Sequence, residues 1–199
     1  MFNYKKLILK SILAGILISI GCWAFLSLEN KIIGAFIFSF ALFSIITLKL
    51  PLFTGRVGEV VLKEIPGIIL ILIGNTLGTA CMGFFYRTIR NIDSVFLIAT
   101  SKQSDAWYTV LIEAILCGIL MQIAVSNAKN SENQVFGISL PVVVFLLIGA
   151  EHIIANLFYF FASGVFPVIF ILLNILGNTI GGILTYRVFL CSMKYPIKN

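Results

Sequence analysis

Glu151 and His152 stand side by side in Gly149-Ala-Glu-His-Ile-Ile-Ala-Asn156, within a stretch that is otherwise apolar. His152 is the only histidine of the chain. An imidazole in apolar surroundings is by default a proton-exchanging group, the alternative being a core histidine with its hydrogen bonds satisfied. Glu151 has two readings as well, a brace for freed backbone groups or a functional carboxylate. A second polar group interrupts the apolar run Leu48-Lys-Leu-Pro-Leu-Phe-Thr-Gly55, which holds Lys49, Pro51 and Thr54. With one histidine, and neither a Gly-x-Ser-x-Gly nor a His-Glu-x-x-His motif, nucleophile–base and zinc arrangements lack parts. The chain therefore does not read as an enzyme, and no cofactor or metal is expected.

The elements that must hold these residues are membrane spans. Hydrophobic residues make up 60% of the 199, charged ones 11%, and the mean hydropathy is +1.08; soluble domains are charged at about a quarter of their positions. Six apolar stretches run at 11–28, 32–53, 66–86, 108–127, 138–161 and 164–190, most near the roughly 20 residues that cross hydrocarbon. Lys5, Lys6 and Lys10 precede the first, but its length and Cys22, Trp23 and Phe25 argue against a cleaved signal peptide.

The chain is internally doubled. Gly74-Asn-Thr-Leu-Gly78 returns as Gly177-Asn-Thr-Ile-Gly181, and Ile12-Leu-Ala-Gly-Ile-Leu17 as Ile115-Leu-Cys-Gly-Ile-Leu120, both displaced by 103 positions. Repeat one spans about 8–90 and repeat two about 106–193 of a single transmembrane domain, 1–199. Three spans per repeat force the halves to enter the bilayer from opposite sides, an inverted repeat with the substrate path between them. Pro51 removes a helix-ladder donor from the second span, and the fifth carries Gly149 through Asn156 at the corresponding place. Both are expected to be broken helices, which bilayer depth tolerates only against protein or a wet cavity. Asn75 and Asn178, each between glycines that allow close helix approach, are expected to offer amides to the freed backbone.

Two placements are open for Lys49. The displacement of 103 pairs it with His152, whereas aligning the breaks by sequence pairs Leu52 with His152. Lys49 either supplies positive charge beside the imidazole or snorkels to the interface or a glutamate. With the N-terminus inside, Lys5, Lys6, Lys10, Arg56, Lys63, Lys129, Arg187, Lys194 and Lys198 fall in cytoplasmic segments, against Lys31, Arg87, Arg90 and Lys102 outside. Both termini are therefore expected in the cytoplasm, and the net charge of +6 is a topology signal, with no call for nucleic acid. Cys22, Cys81, Cys117 and Cys191 show no paired spacing and read as packing residues, and Trp23 and Trp107 as interfacial anchors.

Leu52-Phe-Thr-Gly55, Glu151-His-Ile-Ile-Ala-Asn156 and the two Gly-Asn motifs, in this order and spacing, resemble the formate/nitrite transporter family. Leu13-Ala-Gly15, Phe38-Ser-Phe-Ala-Leu42 and Ile115-Leu-Cys117 extend the resemblance nearly end to end. It implies an all-α, aquaporin-like protomer of six transmembrane helices, a homopentamer in a prokaryotic plasma membrane, and one pathway per protomer for small weak-acid anions and protons. It also implies roles: His152 as pore histidine, Thr54 as broken-loop threonine, Asn156 beside the site, Lys102 in the outer vestibule, and Phe38, Leu42, Leu52 and Phe145 as apolar constrictions. The chain departs from the family pattern near the site, with Pro51 for an acid, Lys49 for a glycine, Arg56 for an asparagine after Thr-Gly, and Gly118 for an asparagine. A substrate-binding membrane subunit of a vitamin importer is the alternative, although it needs no matched breaks with a mid-membrane histidine.

Overall fold

The structure, a computed structural model, describes residues 3–130 and 132–194; Lys198 of the topology count lies outside them. The described residues are helical with short connections. Three helices begin on an asparagine whose short side chain satisfies otherwise orphaned amides. Asn3 accepts from Lys6 N at the start of α1 (Tyr4–Leu26), Asn30 from Ile32 N and Ile33 N at α2 (Lys31–Thr47), and Asn133 from Phe136 N at α7 (Gln134–Leu147). Between them lie the single turn α3 (Phe53–Arg56), α4 (Ile65–Ile89), α5 (Asp93–Ser104) and α6 (Trp107–Asn130). The chain ends with α8 (Ile153–Ser163) and α9 (Val168–Lys194). Among the described residues, α1, α4, α6 and α9 are each long and apolar enough to cross a membrane.

The duplicated glycines explain how these four pair. Gly15 lies on the backbone of Asn75 and Gly78 on that of Ile12, so α1 and α4 touch where neither helix has a side chain to separate them. Gly118 on Asn178 and Gly181 on Ile115 repeat the arrangement between α6 and α9. A Cβ at any of these points would meet backbone, which does not yield, and such close approach is how membrane helices gain dispersion energy without a hydrophobic driving force.

α2 and α7 both stop short and turn. At the first stop Lys49 N donates to Ile46 O (3.0 Å) and Leu50 N to Ile45 O (2.9 Å); at the second, Gly149 N donates to Leu146 O (3.4 Å) and Ala150 N to Phe145 O (2.9 Å). This is a Schellman turn in each case, and it needs a left-handed residue at its apex. Lys49 (φ 52°) and Gly149 (φ 74°) occupy the two apices. The breaks therefore correspond at a displacement of 100, although the flanking helices correspond at 103, because α7 is 14 residues long and α2 is 17. Leu52, not Lys49, is the counterpart of His152, and Pro51 is the counterpart of Glu151.

Two features depart from expectation. α5 is a helix for which the apolar pattern predicts no span, and it carries Lys102. Cys22 and Cys117 are buried, whereas Cys81 and Cys191 are exposed on the single chain. Trp107 is exposed, whereas Trp23 packs against Tyr86 (ring centroids 5.2 Å apart) and Phe85, with Arg90 over its ring.

Candidate functional site

A helix break exposes amides and carbonyls that lipid cannot satisfy. One asparagine per repeat takes them. Asn75 Oδ1 accepts from Phe53 N (2.8 Å), while its Nδ2 donates to Pro51 O (3.1 Å) and to Ser11 O (2.7 Å). Asn178 Oδ1 accepts from Ile153 N (3.0 Å), and its Nδ2 donates to Glu151 O and Ala114 O (2.8 Å each). Each amide thus ties a break to the two long helices that flank it, and both asparagines are fully buried.

His152 starts α8 as its N-cap. Its Nδ1 accepts from Ala155 N (3.1 Å) and therefore carries no proton. In the neutral ring the proton is then on Nε2, which donates to Thr54 Oγ1 (2.9 Å). The two breaks meet in this one bond, and Thr54 keeps its own hydroxyl hydrogen for another acceptor. Phe145 stacks on the imidazole (centroids 5.8 Å apart, 28° between planes), and Phe38 stands edge-on to Phe145 at 5.7 Å. Phe38, Leu42, Leu52 and Phe145 are all buried to 2% exposure or less.

Glu151 is buried but not alone. Lys102 Nζ reaches in from α5 and lies 2.5 Å from both carboxylate oxygens, and Asn156 Nδ2 donates to Oε2 (2.7 Å). Lys102 is thus ion-paired with Glu151 while its side chain keeps 18% exposure at a cavity shared with Asp105 and Trp107, and its Nζ also lies 5.6 Å from the centre of the Phe170 ring.

Lys49 is elsewhere. It is exposed at the rim of a cavity of about 540 Å³ whose wall includes Arg56, Lys63, Glu64 and Lys129 and whose inner lining includes Leu42 and Leu52. His152 is buried and is not in that lining. Lys129 in turn is paired with Glu59.

Asn174 went unnoticed in the sequence. Fully buried on α9, it donates Nδ2 to Glu151 O (2.5 Å) and accepts on Oδ1 from Asn156 Nδ2 (2.7 Å). The available signal was an amide in Ile171-Leu-Leu-Asn-Ile-Leu176, one turn before Asn178, where the first repeat has Ile71 at the displacement of 103. Ser39 and Ser139, joined across the repeats by a 3.0 Å hydrogen bond, were missed too. Among the described residues no three potential ligands gather into a metal site.

A solved pentameric formate channel with formate bound superposes with a TM-score of 0.79, at 22% identity, covering 96% of each chain. A second solved structure, an FNT family ion channel, gives a TM-score of 0.81 at 21% identity over 98% of this chain and 92% of the other. An uncharacterized transporter of Bacillus subtilis (strain 168), YrhG, is 27% identical, covering 77% of this chain and 68% of that protein. The family model for formate/nitrite transporters matches residues 1–192. This chain is a multi-pass membrane protein and belongs to the formate/nitrite transporter family.

Proposed function

We propose that the chain conducts small monovalent weak-acid anions such as formate, nitrite or hydrosulfide, with proton exchange at His152. The observation that carries this reading is the Thr54–His152 hydrogen bond, a donor pair held between two helix breaks and walled by Phe38, Phe145, Leu42 and Leu52. A bare anion crossing such a wall loses its hydration with little in return, whereas the neutral acid does not. The Thr54 hydroxyl is placed to donate to an anion at the centre, with Nε2–H of His152 behind it. Since Nδ1 is held by Ala155 N, a proton arriving on that side displaces the α8 cap, so proton exchange is tied to loosening the first turn of α8.

The matched Schellman turns, asparagine pins and glycine contacts support six spans arranged as two inverted repeats, 8–90 and 106–193, with α2–α3 and α7–α8 as the broken ones. Both termini are placed in the cytoplasm of a prokaryotic cell, and the protein in its plasma membrane. The likeness to a pentameric formate channel supports a homopentamer with formate among the substrates. The vitamin-importer reading has no feature in its favour beyond span number.

His152→Asn is the variant that separates the histidine's two roles. Asparagine is among the best N-cap residues, so α8 keeps its cap while the titrating ring is gone. In proteoliposomes, wild-type uptake should rise several-fold as pH falls, and the variant should lose most of that rise. Unchanged flux with unchanged pH dependence would remove the histidine from the mechanism.

A further inference from the structure

The amide orientations around Glu151 are fixed by their partners. A carboxylate only accepts, so Asn156 presents Nδ2 to Glu151 Oε2, and a backbone carbonyl only accepts, so Asn174 presents Nδ2 to Glu151 O. Asn174 Oδ1 is then turned to Asn156 and takes the second hydrogen of its amide. Both hydrogens of Asn156 are committed. What remains to Asn156 is Oδ1, which accepts from no described residue and is not sealed off, since Gln122 Oε1 alone among the described side-chain atoms is both enclosed and unpartnered. Asn156 keeps 3% exposure and lies in the first turn of α8, whose N-cap is His152.

We propose that Asn174 is a positioning residue for substrate choice: by taking the second N–H of Asn156 it leaves a bare carbonyl oxygen toward the pathway, which accepts from the O–H of an undissociated acid and repels its anion. This rests on the weak-acid reading given above. Bracing the break does not by itself account for Asn174, because Asn178 already donates to Glu151 O at 2.8 Å. The first repeat manages its break with Asn75 alone and has Ile71 at the matching place.

The test is uptake of formate and of chloride, an anion with no neutral acid form near neutral pH, into liposomes holding the full chain. Wild type is compared with Asn174→Leu, which keeps the bulk, and Asn174→Ala, which cannot overpack. Wild type should pass formate far better than chloride. Both variants leave one Asn156 N–H without its acceptor, adding a donor that favours the anion, and the formate-to-chloride ratio should fall about tenfold, the worth of one hydrogen bond to a charged group. Formate and chloride uptake that change in equal proportion, leaving the ratio where it was, would reduce Asn174 to a prop, as would failure of both variants to assemble. If only one assembles, its ratio decides. Wild type passing chloride as readily as formate overturns the weak-acid reading instead, before any variant is compared.

Discussion

The break at 48–52 and the break at 148–152 have the same backbone and opposite chemistry. Each ends its helix in a Schellman turn, and each is pinned by the asparagine of the Gly-Asn repeat in the long helix beside it. Into this shared frame the first break puts Lys49, Pro51 and Leu52, and the second Gly149, Glu151 and His152. The helices that follow diverge too: α3 is one turn, whereas α8 has 11 residues. The pins bind backbone groups, which every residue supplies, so beyond the left-handed apex at 49 and 149 the frame places no demand on the side chains at 50–52 or 150–152. One break accordingly holds a buried carboxylate and imidazole, the other an apolar plug, a single buried hydroxyl and an exposed lysine.

The matched positions Glu151 and Pro51 should respond most differently to substitution. Glu151→Gln strands the Lys102 ammonium in a site where, among the described residues, its ion-pair partner is that carboxylate. Removing one member of a buried pair costs about 3–5 kcal/mol, so the purified protein should melt far earlier, and the double variant Glu151→Gln/Lys102→Met should recover most of the loss. Pro51→Ala touches no ion pair and should cost under about 1 kcal/mol, the range of ordinary substitutions away from special contacts. Equal melting of the two single variants would mean that the second break is not electrostatically distinct from the first.

The asparagine pins allow a finer test, with a smaller effect. Asn75→Leu leaves Phe53 N and Pro51 O unsatisfied, whereas Asn178→Leu leaves Ile153 N but not Glu151 O, which Asn174 still holds. At about 1–3 kcal/mol for each stranded buried group, both variants should be destabilised and Asn75→Leu the more so, by the worth of one carbonyl. The ranking is read from thermal unfolding in detergent. The reverse order would show that Asn174 does not share the load at the second break.

How much of this could be read in advance follows from what each signal depends on. The breaks and their pins were legible because proline, glycine and a Gly-Asn pair are local signals repeated at one displacement. The pairing across the breaks was legible only as two alternatives, since a three-residue difference in the lengths of α2 and α7 changes the displacement inside the repeat, and the Schellman hydrogen bonds decide between them. Nor does a resemblance to a vestibule lysine say that Lys102 turns inward, because that depends on where the polar helix α5 lies against α8. Asn174 was hidden by its neighbours, one amide among leucines and isoleucines whose partners are far off in the chain.

The smallest effect, and the most informative about the first break, concerns Lys49. A left-handed residue with a Cβ is strained by roughly 1–2 kcal/mol relative to glycine, and the second repeat avoids this with Gly149. Lys49→Gly removes the strain but loosens the unfolded chain, so the net change in stability should be no more than about 1 kcal/mol, in the stabilising direction. A lysine kept at a glycine's place points to its charge, set on the rim of a cavity with Arg56 and Lys63 above the Leu42–Leu52 plug. Anion entry from that side should fall about two- to threefold at low ionic strength. It should return to the wild-type value near 0.15 M salt, where the screening length of about 8 Å mutes a rim charge. A defect that persists in salt would mean that Lys49 shapes the turn rather than the field, and the two breaks would then differ in geometry as well as in chemistry.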